Sequence, residues 1–453
     1  MTQYDINKLA VGIQAYQDIM LTSDTFTKVY GANDVVHLEA EATLSYYPKC
    51  CHKCGCVNPS KAQQKEEKVR PILHLHGYKM THIKNGILHG YPLIINLKKQ
   101  RYKCLACHQT FVAETKLVAK HCQISHQTKL KVANELTKAQ SMKDIAEREG
   151  VSASSVIRIA RRFAQRLETG FKRLPSSLCF DEFASTKQAD AGMSFIMMDG
   201  LTHEVLDIID SRQQKALLAY FYRYPRAARN RVKQIVIDMY APYIGLIKSC
   251  FPNADIIIDR FHIIQHLNRA LNKHRITVMN ACKTSRPTDY TKLKRYWKLI
   301  LKNADDLEFE HHTYHRLFGG LMSQKRIVDY LLSLDPRLEA TYRFVNRLKQ
   351  CVAEHDAEQF AITLAESKKV TLKQHVRTAF NSLEKYKDYI QNALTYRLSN
   401  GPLEGMNNRI KLLKRTGYGY VNFWNLRARI LMMVRFGKTS KQAKPLYFED
   451  IVA

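Results

Sequence analysis

The sequence predicts a multidomain α+β protein, and three features of its pattern lead to that prediction. Two pairs of cysteines fall within the first 110 residues, and a basic helical segment follows them. After Pro175, short β-type segments alternate with helices, which is typical of an α/β core. From about residue 276 to residue 394 the pattern is helical and charged. Since 453 residues are too many for one ordinary domain, we expect several domains.

Composition narrows the class of partner. Lys and Arg total 71 against 41 Asp and Glu, a net charge of +30. Such an excess favours a polyanion, most often nucleic acid. The sequence shows no signal peptide and no long uncharged apolar run, so we expect a cytoplasmic protein without a membrane partner. Eleven cysteines in a cytoplasmic protein indicate metal binding rather than disulfides. The sequence contains no Gly-rich phosphate-binding loop, so nothing in it indicates ATP hydrolysis.

Two C-x-x-C pairs predict a structural zinc site. Each pair places two thiolates on one tight turn, and two pairs form the tetrahedral sulfur site that Zn²⁺ prefers. Four protein ligands leave no open position, so the site is structural. Strand candidates at Ile72–Tyr78 and Leu93–Cys104 separate the pairs, as in a zinc ribbon. The predicted ligands are Cys51, Cys54, Cys104 and Cys107, and the spacing leaves Cys50, Cys56, His52 and His108 open as substitutes.

A helix-turn-helix is predicted between Ser141 and Ile159. Two short helices meet at Gly150, and Ser152 is placed to cap the second helix. Small polar residues followed by arginines suit a DNA major groove and its phosphates, although a plain helical hairpin has the same pattern. The predicted shared core is Ile145, Ala146, Val151, Val156 and Ile159. The predicted outward DNA-binding residues are Ser154, Ser155, Arg158, Arg161 and Arg162.

The segment after Pro175 predicts a ribonuclease-H-like core. Three consecutive strand candidates are followed by a helix, a fourth strand, a second helix and a fifth strand. In that fold the first and fourth strands lie side by side in the centre. The strand candidates are Leu178–Ala184, Met193–Asp199, Glu204–Asp210, Val232–Asp238 and Asp255–Asp259, and the helices are Gln213–Tyr222 and Tyr243–Cys250.

Three carboxylates stand where this fold would bind metal. Asp181 lies in the first strand, Asp238 ends the fourth, and Glu404 begins a later helix. Carboxylates on neighbouring strands and a facing helix can bind two Mg²⁺ about 3.5–4 Å apart, and oxygen ligands suit Mg²⁺ or Mn²⁺. Asp259 is the alternative second ligand, since it also ends an apolar strand. The strand count favours Asp238, because the fifth strand lies at the edge of the core.

The Glu404 helix is amphipathic. At helical spacing an apolar stripe formed by Leu403, Met406, Ile410 and Leu413 opposes a polar stripe formed by Glu404, Asn408, Lys411 and Arg415. We expect Lys411 and Arg415, with Gly417–Tyr420, to bind the DNA backbone near the cut. An amphipathic helix with a capping glutamate and no further role has the same pattern.

Taken together, these motifs resemble the ISL3 family of bacterial insertion-sequence transposases. The paired cysteine knuckles, the helix-turn-helix and several short segments occur in the expected order. The segments are Phe180-Asp181-Glu182-Phe183, Asp238-Met239-Tyr240, Phe251-Pro252-Asn253-Ala254, Asp259-Arg260-Phe261-His262 and Ser399–Gly405. The resemblance implies a DDE transposase with the triad Asp181, Asp238 and Glu404, and Asp259 and His262 as a supporting pair. It also implies recognition of terminal inverted repeats, strand cleavage and strand transfer on double-stranded DNA, and a homodimer on that DNA.

The corresponding domain plan has five parts. They are an N-terminal region with the zinc ribbon (1–125), a helix-turn-helix (126–172), a first part of the core (176–275), an all-helical insertion (276–394), and the last core helix with a basic segment (395–440). A DNA-binding regulator with an inactive nuclease-like core is the main alternative function. An RNA-processing or repair nuclease on the same fold is the second alternative.

Overall fold

The computed structural model describes residues 2–31, 36–168 and 170–436. These residues divide into two compact units, each with its own hydrophobic core. The first unit contains the described residues up to Glu168 and those from Arg409 onward. The second contains the described residues from 170 to Asn408.

The first unit begins with a helix and a six-stranded sheet. Strands β4 and β5 form one long antiparallel hairpin. Its turn is at His89 and Gly90, whose φ angles of 49° and 83° suit a two-residue hairpin loop. The predicted strands in this region are confirmed, but both extend further than the sequence indicated. The elements are α1 (Gln3–Val11), β1 (Ile19–Leu21), β2 (Thr27–Tyr30), β3 (Val36–Leu44), α2 (Lys61–Glu66), β4 (Leu73–Leu88), β5 (Tyr91–Cys104) and β6 (Thr110–Val112).

Three helices follow the sheet: α3 (His126–Glu135), α4 (Met142–Arg148) and α5 (Ala153–Arg166). The hydroxyls of Ser141 and Ser152 cap α4 and α5 by accepting backbone N–H bonds. Gly150 lies between them with a φ of +65°, a conformation that favours glycine. The two predicted helices and their predicted core residues are therefore confirmed, since all five residues are buried in one cluster.

The second unit begins with a five-stranded sheet in the order β11-β10-β7-β8-β9. The first strand, β7, lies in the centre, antiparallel to β8 and parallel to β10. The predicted strands and their central pair are confirmed. The apolar runs of β10 and β11 suit strands buried on both faces. The elements are β7 (Ser177–Ala184), β8 (Met193–Asp199), β9 (Val205–Ile209), α6 (Gln214–Phe221), α7 (Arg226–Asn230), β10 (Gln234–Ile237), α8 (Ala241–Cys250) and β11 (Asp255–Ile258).

A mostly helical tract completes the second unit. The prediction that residues 276–394 are all helical is wrong in one detail, because they contain an antiparallel hairpin. Gly319, with a φ of +64°, precedes the second strand and allows the chain to reverse. The elements are α9 (Arg260–Ser285), α10 (Pro287–Arg295), α11 (Trp297–Leu301), β12 (Thr313–His315), β13 (Gly320–Met322), α12 (Gln324–Ser333), α13 (Pro336–Glu354), α14 (Ala357–Ser367), α15 (Gln374–Lys385) and α16 (Lys387–Thr395).

Two further helices are α17 (Gly401–Thr416) and α18 (Phe423–Leu431). The predicted amphipathicity of α17 is confirmed: its four apolar positions are buried, and its four polar positions are exposed. The division between the units falls within α17. Residues 437–440 of the predicted basic segment lie outside the described residues. Within the described chain, no helix has the length and apolar character needed to span a bilayer.

Candidate active site and cysteine cluster

The central parallel strands bring three carboxylates to one level. Val236 of β10 pairs with Cys179 of β7, so two residues further on Asp238 is level with Asp181. Likewise Ile237 pairs with Ile258, which places Asp259 level with Asp238. Side chains at one level of neighbouring strands share a face of the sheet. The three acids therefore form a row across β7, β10 and β11.

Asp181 is held by two hydrogen bonds. The backbone N–H of Glu182 donates to Oδ1 at 2.7 Å, and Nδ2 of Asn407 donates to Oδ2 at 2.7 Å. Burial, followed by the neighbouring negative charge of Asp238, raises the pKa of Asp181 to about 7. Two carboxylates placed this close disfavour full ionisation unless a cation lies beside them.

His262 contacts Asp238 from the first turns of α9. Its Nε2 lies 2.8 Å from Oδ1 of Asp238, and both side chains are about 30% exposed (32% and 30%). The contact with Asp238 raises the pKa of His262, an effect that burial opposes. His262 therefore contacts the acid row through Asp238, and its supporting role stays a prediction.

Asp259 has a different environment from Asp238. It is only 5% exposed, and its Oδ1 accepts the backbone N–H of Asn400 at 3.1 Å. The side-chain amide of Asn400 in turn donates to the carbonyl oxygen of Phe180 at 3.0 Å. Asp259 thus fixes the start of α17 against the sheet. Its burial raises its pKa. The choice of Asp238 over Asp259 as the second metal ligand stays a prediction.

A cleft of about 500 Å³ opens beside the acid row. Asp181 and Asp238 line it, while Glu404 is exposed and is absent from the described residues that line it. The structure thus brings together two members of the predicted triad, and the third lies on α17 one turn before Asn407. The cleft is lined by Asp181, Glu182, Asp238, Met239, Tyr240, Tyr243, His262, Gln265, His266, Arg269, Ser382 and Tyr386.

Sequence reasoning missed Asn407. It selected Asn408 as the amide on the polar stripe, whereas Asn408 is exposed and Asn407 is only 7% exposed. The available signal was its position three residues after Glu404, since positions three apart lie on one side of a helix. Glu182 is occupied elsewhere, because it pairs with Arg212 and accepts the hydroxyl of Tyr243 at 3.1 Å.

The four predicted cysteine ligands converge in the first unit. The sulfurs of Cys51, Cys54, Cys104 and Cys107 all lie within 4.8 Å of one another. Two sulfur pairs, Cys51–Cys107 and Cys54–Cys104, are separated by 3.8 Å each. Tetrahedral Zn²⁺ with Zn–S bonds of about 2.3 Å requires sulfurs about 3.8 Å apart, so the cluster fits a structural zinc ion. In the described part of the chain this cluster excludes Cys50, Cys56, His52 and His108.

The predicted DNA-binding residues of α5 are not all outward. Four are exposed: Ser154, Arg158, Arg161 and Arg162. Ser155 is only 6% exposed, so its predicted outward position is wrong. Its backbone N–H donates to the capping hydroxyl of Ser152, and its own hydroxyl accepts from Arg158, which turns it inward. Arg161 donates to the side-chain oxygens of Asn425 and Asn422 at 2.7 and 3.1 Å, so it also connects α5 to the start of α18.

Fold and site together define a mixed α+β protein with an acidic cleft at its central parallel strands. The model of the ISL3 family of DDE transposases, described as "Transposase", matches residues 178–430. Since this is more than half of the chain, the protein belongs to that family. Its family makes it a DNA-processing enzyme.

Two other proteins are similar in sequence to this chain. The transposase for insertion sequence element IS1001 from Bordetella parapertussis is 22% identical over 391 residues, which cover 83% of this chain and 88% of that protein. An ATP-dependent protease from Lactococcus lactis subsp. lactis is 36% identical over 116 residues, 26% of this chain and 36% of that protein. The second match is too short to describe the chain as a whole.

Proposed function

We propose that this transposase binds the terminal inverted repeats of its insertion sequence, then cuts and transfers DNA strands by metal-dependent phosphoryl transfer. The observation that carries the proposal is the side-by-side placement of Asp181 and Asp238 on the parallel central strands, at the wall of a cleft. The strand order around this pair supports a ribonuclease-H-like core. Glu404 supplies the third ligand from α17.

The donor set suits Mg²⁺ or Mn²⁺, because it consists of hard carboxylate oxygens. Burial, followed by the charge of Asp238, raises the pKa of Asp181, and a bound cation would offset both effects. When bound, two such ions activate water for cleavage and a 3′-OH for strand transfer, and stabilise the leaving oxygen. Asp181 and Asp238 would hold the ions from the sheet, and His262 would orient Asp238.

DNA recognition is assigned to the first unit. The cysteine cluster, holding structural Zn²⁺, keeps the end of β5 in place. The helices α4 and α5 act as a helix-turn-helix that presents Ser154, Arg158, Arg161 and Arg162 to DNA, and Lys411 and Arg415 of α17 bind phosphates. The net charge of +30 supports a polyanionic substrate. Two element ends must be joined, so the protein acts as a homodimer on the bacterial chromosome in the cytoplasm.

The test is cleavage of labelled DNA that carries the ends flanking the gene, with Mg²⁺ or Mn²⁺ present. Wild type is compared with Asp238→Asn and Asp259→Asn. Cutting at the ends by the wild type, lost in Asp238→Asn, supports the transposase mechanism and the triad. If Asp259→Asn alone loses cutting while remaining folded, Asp259 replaces Asp238 as the ligand.

A regulator with an inactive core would give another result. It would bind the ends tightly and leave them intact with either metal. A repair or RNA-processing nuclease would cut without preference for the end sequence, so a scrambled DNA duplex of equal length is included as the control.

A further inference from the structure

Asn407 connects α17 to the acid row. It belongs to α17, three residues after Glu404, and its Nδ2 donates to Oδ2 of Asp181 at 2.7 Å. The side chain is almost fully enclosed, with 7% of the residue exposed. The contact joins residues 226 positions apart in the chain, so it exists only in the folded second unit.

The contact with Asp181 defines the orientation of the Asn407 amide. Nδ2 of Asn407 donates to Oδ2 of Asp181. This orientation suits the ionised carboxylate that would bind a metal ion, because that form only accepts hydrogen bonds. Oδ1 of Asn407 is then turned away, and it is buried without a hydrogen-bond partner among the described residues. A buried amide oxygen without a donor costs free energy.

We propose that Asn407 is a positioning residue that sets the orientation of the Asp181 carboxylate for the metal ions. The backbone N–H of Glu182 engages Oδ1, and Asn407 engages Oδ2, so the carboxylate is held at both oxygens. Each carboxylate oxygen has two lone pairs, so each retains one for a cation. Because Asn407 and Glu404 lie on one helix, the same helix would place the third ligand and align the first. This inference rests on the proposed metal-dependent function.

The chain contains a matched control. Asn400 also connects α17 to β7, through a hydrogen bond from its side-chain amide to the carbonyl oxygen of Phe180. That bond attaches the helix to the strand without touching a carboxylate. Truncation of Asn400 therefore removes a connection between the same two elements, whereas truncation of Asn407 also releases the Asp181 side chain.

The experiment uses the full-length, zinc-loaded protein and the variants Asn407→Ala, Asn400→Ala and Asp181→Asn. Binding of Mn²⁺ without DNA is followed by electron paramagnetic resonance, and end cleavage is measured in Mg²⁺ and in Mn²⁺. Loss of a residue that orients a metal ligand typically weakens metal binding about 10–100-fold. We expect that loss in Asn407→Ala, and an affinity within about threefold of wild type in Asn400→Ala. Cleavage by Asn407→Ala should fall more in Mg²⁺ than in Mn²⁺, because Mg²⁺ demands nearly ideal octahedral geometry.

Two results would overturn the inference, and they differ from failure of the proposed function. The first is a Mn²⁺ affinity of Asn407→Ala equal to that of wild type. The second is an equal loss of Mn²⁺ affinity in Asn407→Ala and Asn400→Ala. Either would show that Asn407 only joins the helix to the strand. In those cases Asp181→Asn still loses Mn²⁺ and cutting, so the metal-dependent function stands. If the wild-type protein cuts no DNA, and Asp181→Asn does not reduce its Mn²⁺ binding, both the positioning role of Asn407 and the proposed metal-dependent function are wrong.

Discussion

The cysteine cluster and the acid row are two sites predicted from the same sequence, and they are complete to different degrees. All four cysteine sulfurs are within 4.8 Å of one another. In the acid row Asp181 and Asp238 line one cleft, while Glu404 is exposed on α17. A C-x-x-C pair fixes two ligands on one turn, so local chain geometry already brings the four cysteines together in two pairs. Each acid comes from a separate element, and its place depends on the tertiary fold.

The electrostatics of the two sites also differ. The cysteine site has spacing that fits a tetrahedral ion, and four protein ligands would leave such an ion inert. The acid row holds like charges in a partly buried place, which is unfavourable for stability and useful for binding cations. We therefore expect loss of the first site to affect folding, and loss of the second to affect chemistry.

The largest expected effect is that of Cys104→Ser. Zinc content should fall from one equivalent to near zero, and the first unit should lose about 5 kcal/mol or more of unfolding free energy, because metal binding and folding are coupled. Metal analysis and thermal unfolding measure both. Cys50→Ser, outside the cluster, is the control. Retention of zinc by Cys104→Ser would disprove the ligand assignment.

In contrast to Cys104→Ser, the variant Asp238→Asn should lose activity and keep its stability. Cleavage should fall about 10³-fold, equivalent to about 4 kcal/mol in the activation barrier, whereas end binding and thermal stability should stay close to wild type. Asp199→Asn is the control, because Asp199 accepts backbone N–H groups in a turn away from the cleft. A large loss of folding stability in Asp238→Asn, with cleavage per folded molecule unchanged, would contradict the contrast between the sites.

We expect the second unit to lose stability at low pH because of His274. This histidine is fully buried beside Thr341 and His375. Burial lowers the pKa of His274 from 6.5 to about 4, while the charge of Asp335 opposes that shift and Lys373 and Arg337 add to it. Below pH 6.5 the unfolded chain therefore binds a proton that the folded unit does not. Stability is full above pH 6.5 and declines as the pH falls toward 4.

Between pH 7 and pH 5 this histidine should cost about 1–2 kcal/mol of unfolding free energy. The variant His274→Gln should remove that decrease, as measured by urea unfolding at both pH values. His311→Gln, at an exposed position, should not. An unchanged pH dependence in His274→Gln would assign the acid sensitivity to other groups. The acid row would not be among them, since the raised pKa values of Asp181 and Asp259 favour the folded state as the pH falls.

The smallest expected effect is a difference in stability between alanine variants of two arginines of α5. Arg162→Ala should weaken end binding by about 1 kcal/mol and reduce the salt dependence by about one counterion, with no change in stability. Arg161→Ala should show a similar binding loss and also destabilise the first unit, because Arg161 contacts Asn422 and Asn425. Filter binding at several salt concentrations and thermal unfolding test both. Equal stability of the two variants would show that the contacts of Arg161 contribute nothing.

The strands of the second unit could be predicted because their apolar runs end at acids and turns. Asp181 and Asp238 were found in this way, and the register of β7 and β10 then placed them at one level. The structural role of Asp259 could not be read from its strand, since it depends on a backbone N–H 141 residues away.

Errors in the prediction have a common physical cause. Ser155 was placed outward by its position after a cap, but it bonds Ser152 and Arg158 and is buried. Asn407 and Asn408 are adjacent amides, and only packing against β7 decides which one is enclosed. Periodicity identifies the faces of a helix, but residues at the border between two faces are sorted by tertiary contacts.

The contact between Asp181 and Asn407 also has a consequence for synthesis of the protein. Ribosomes add about 5–20 residues per second, so the 226 residues between these partners take roughly 10–45 s to make. Strand β7 has long been synthesised before α17 exists. A nascent chain, or a fragment truncated before residue 400, therefore lacks the helix that carries Glu404 and Asn407. In the proposed mechanism, DNA cutting would therefore require that synthesis has passed α17.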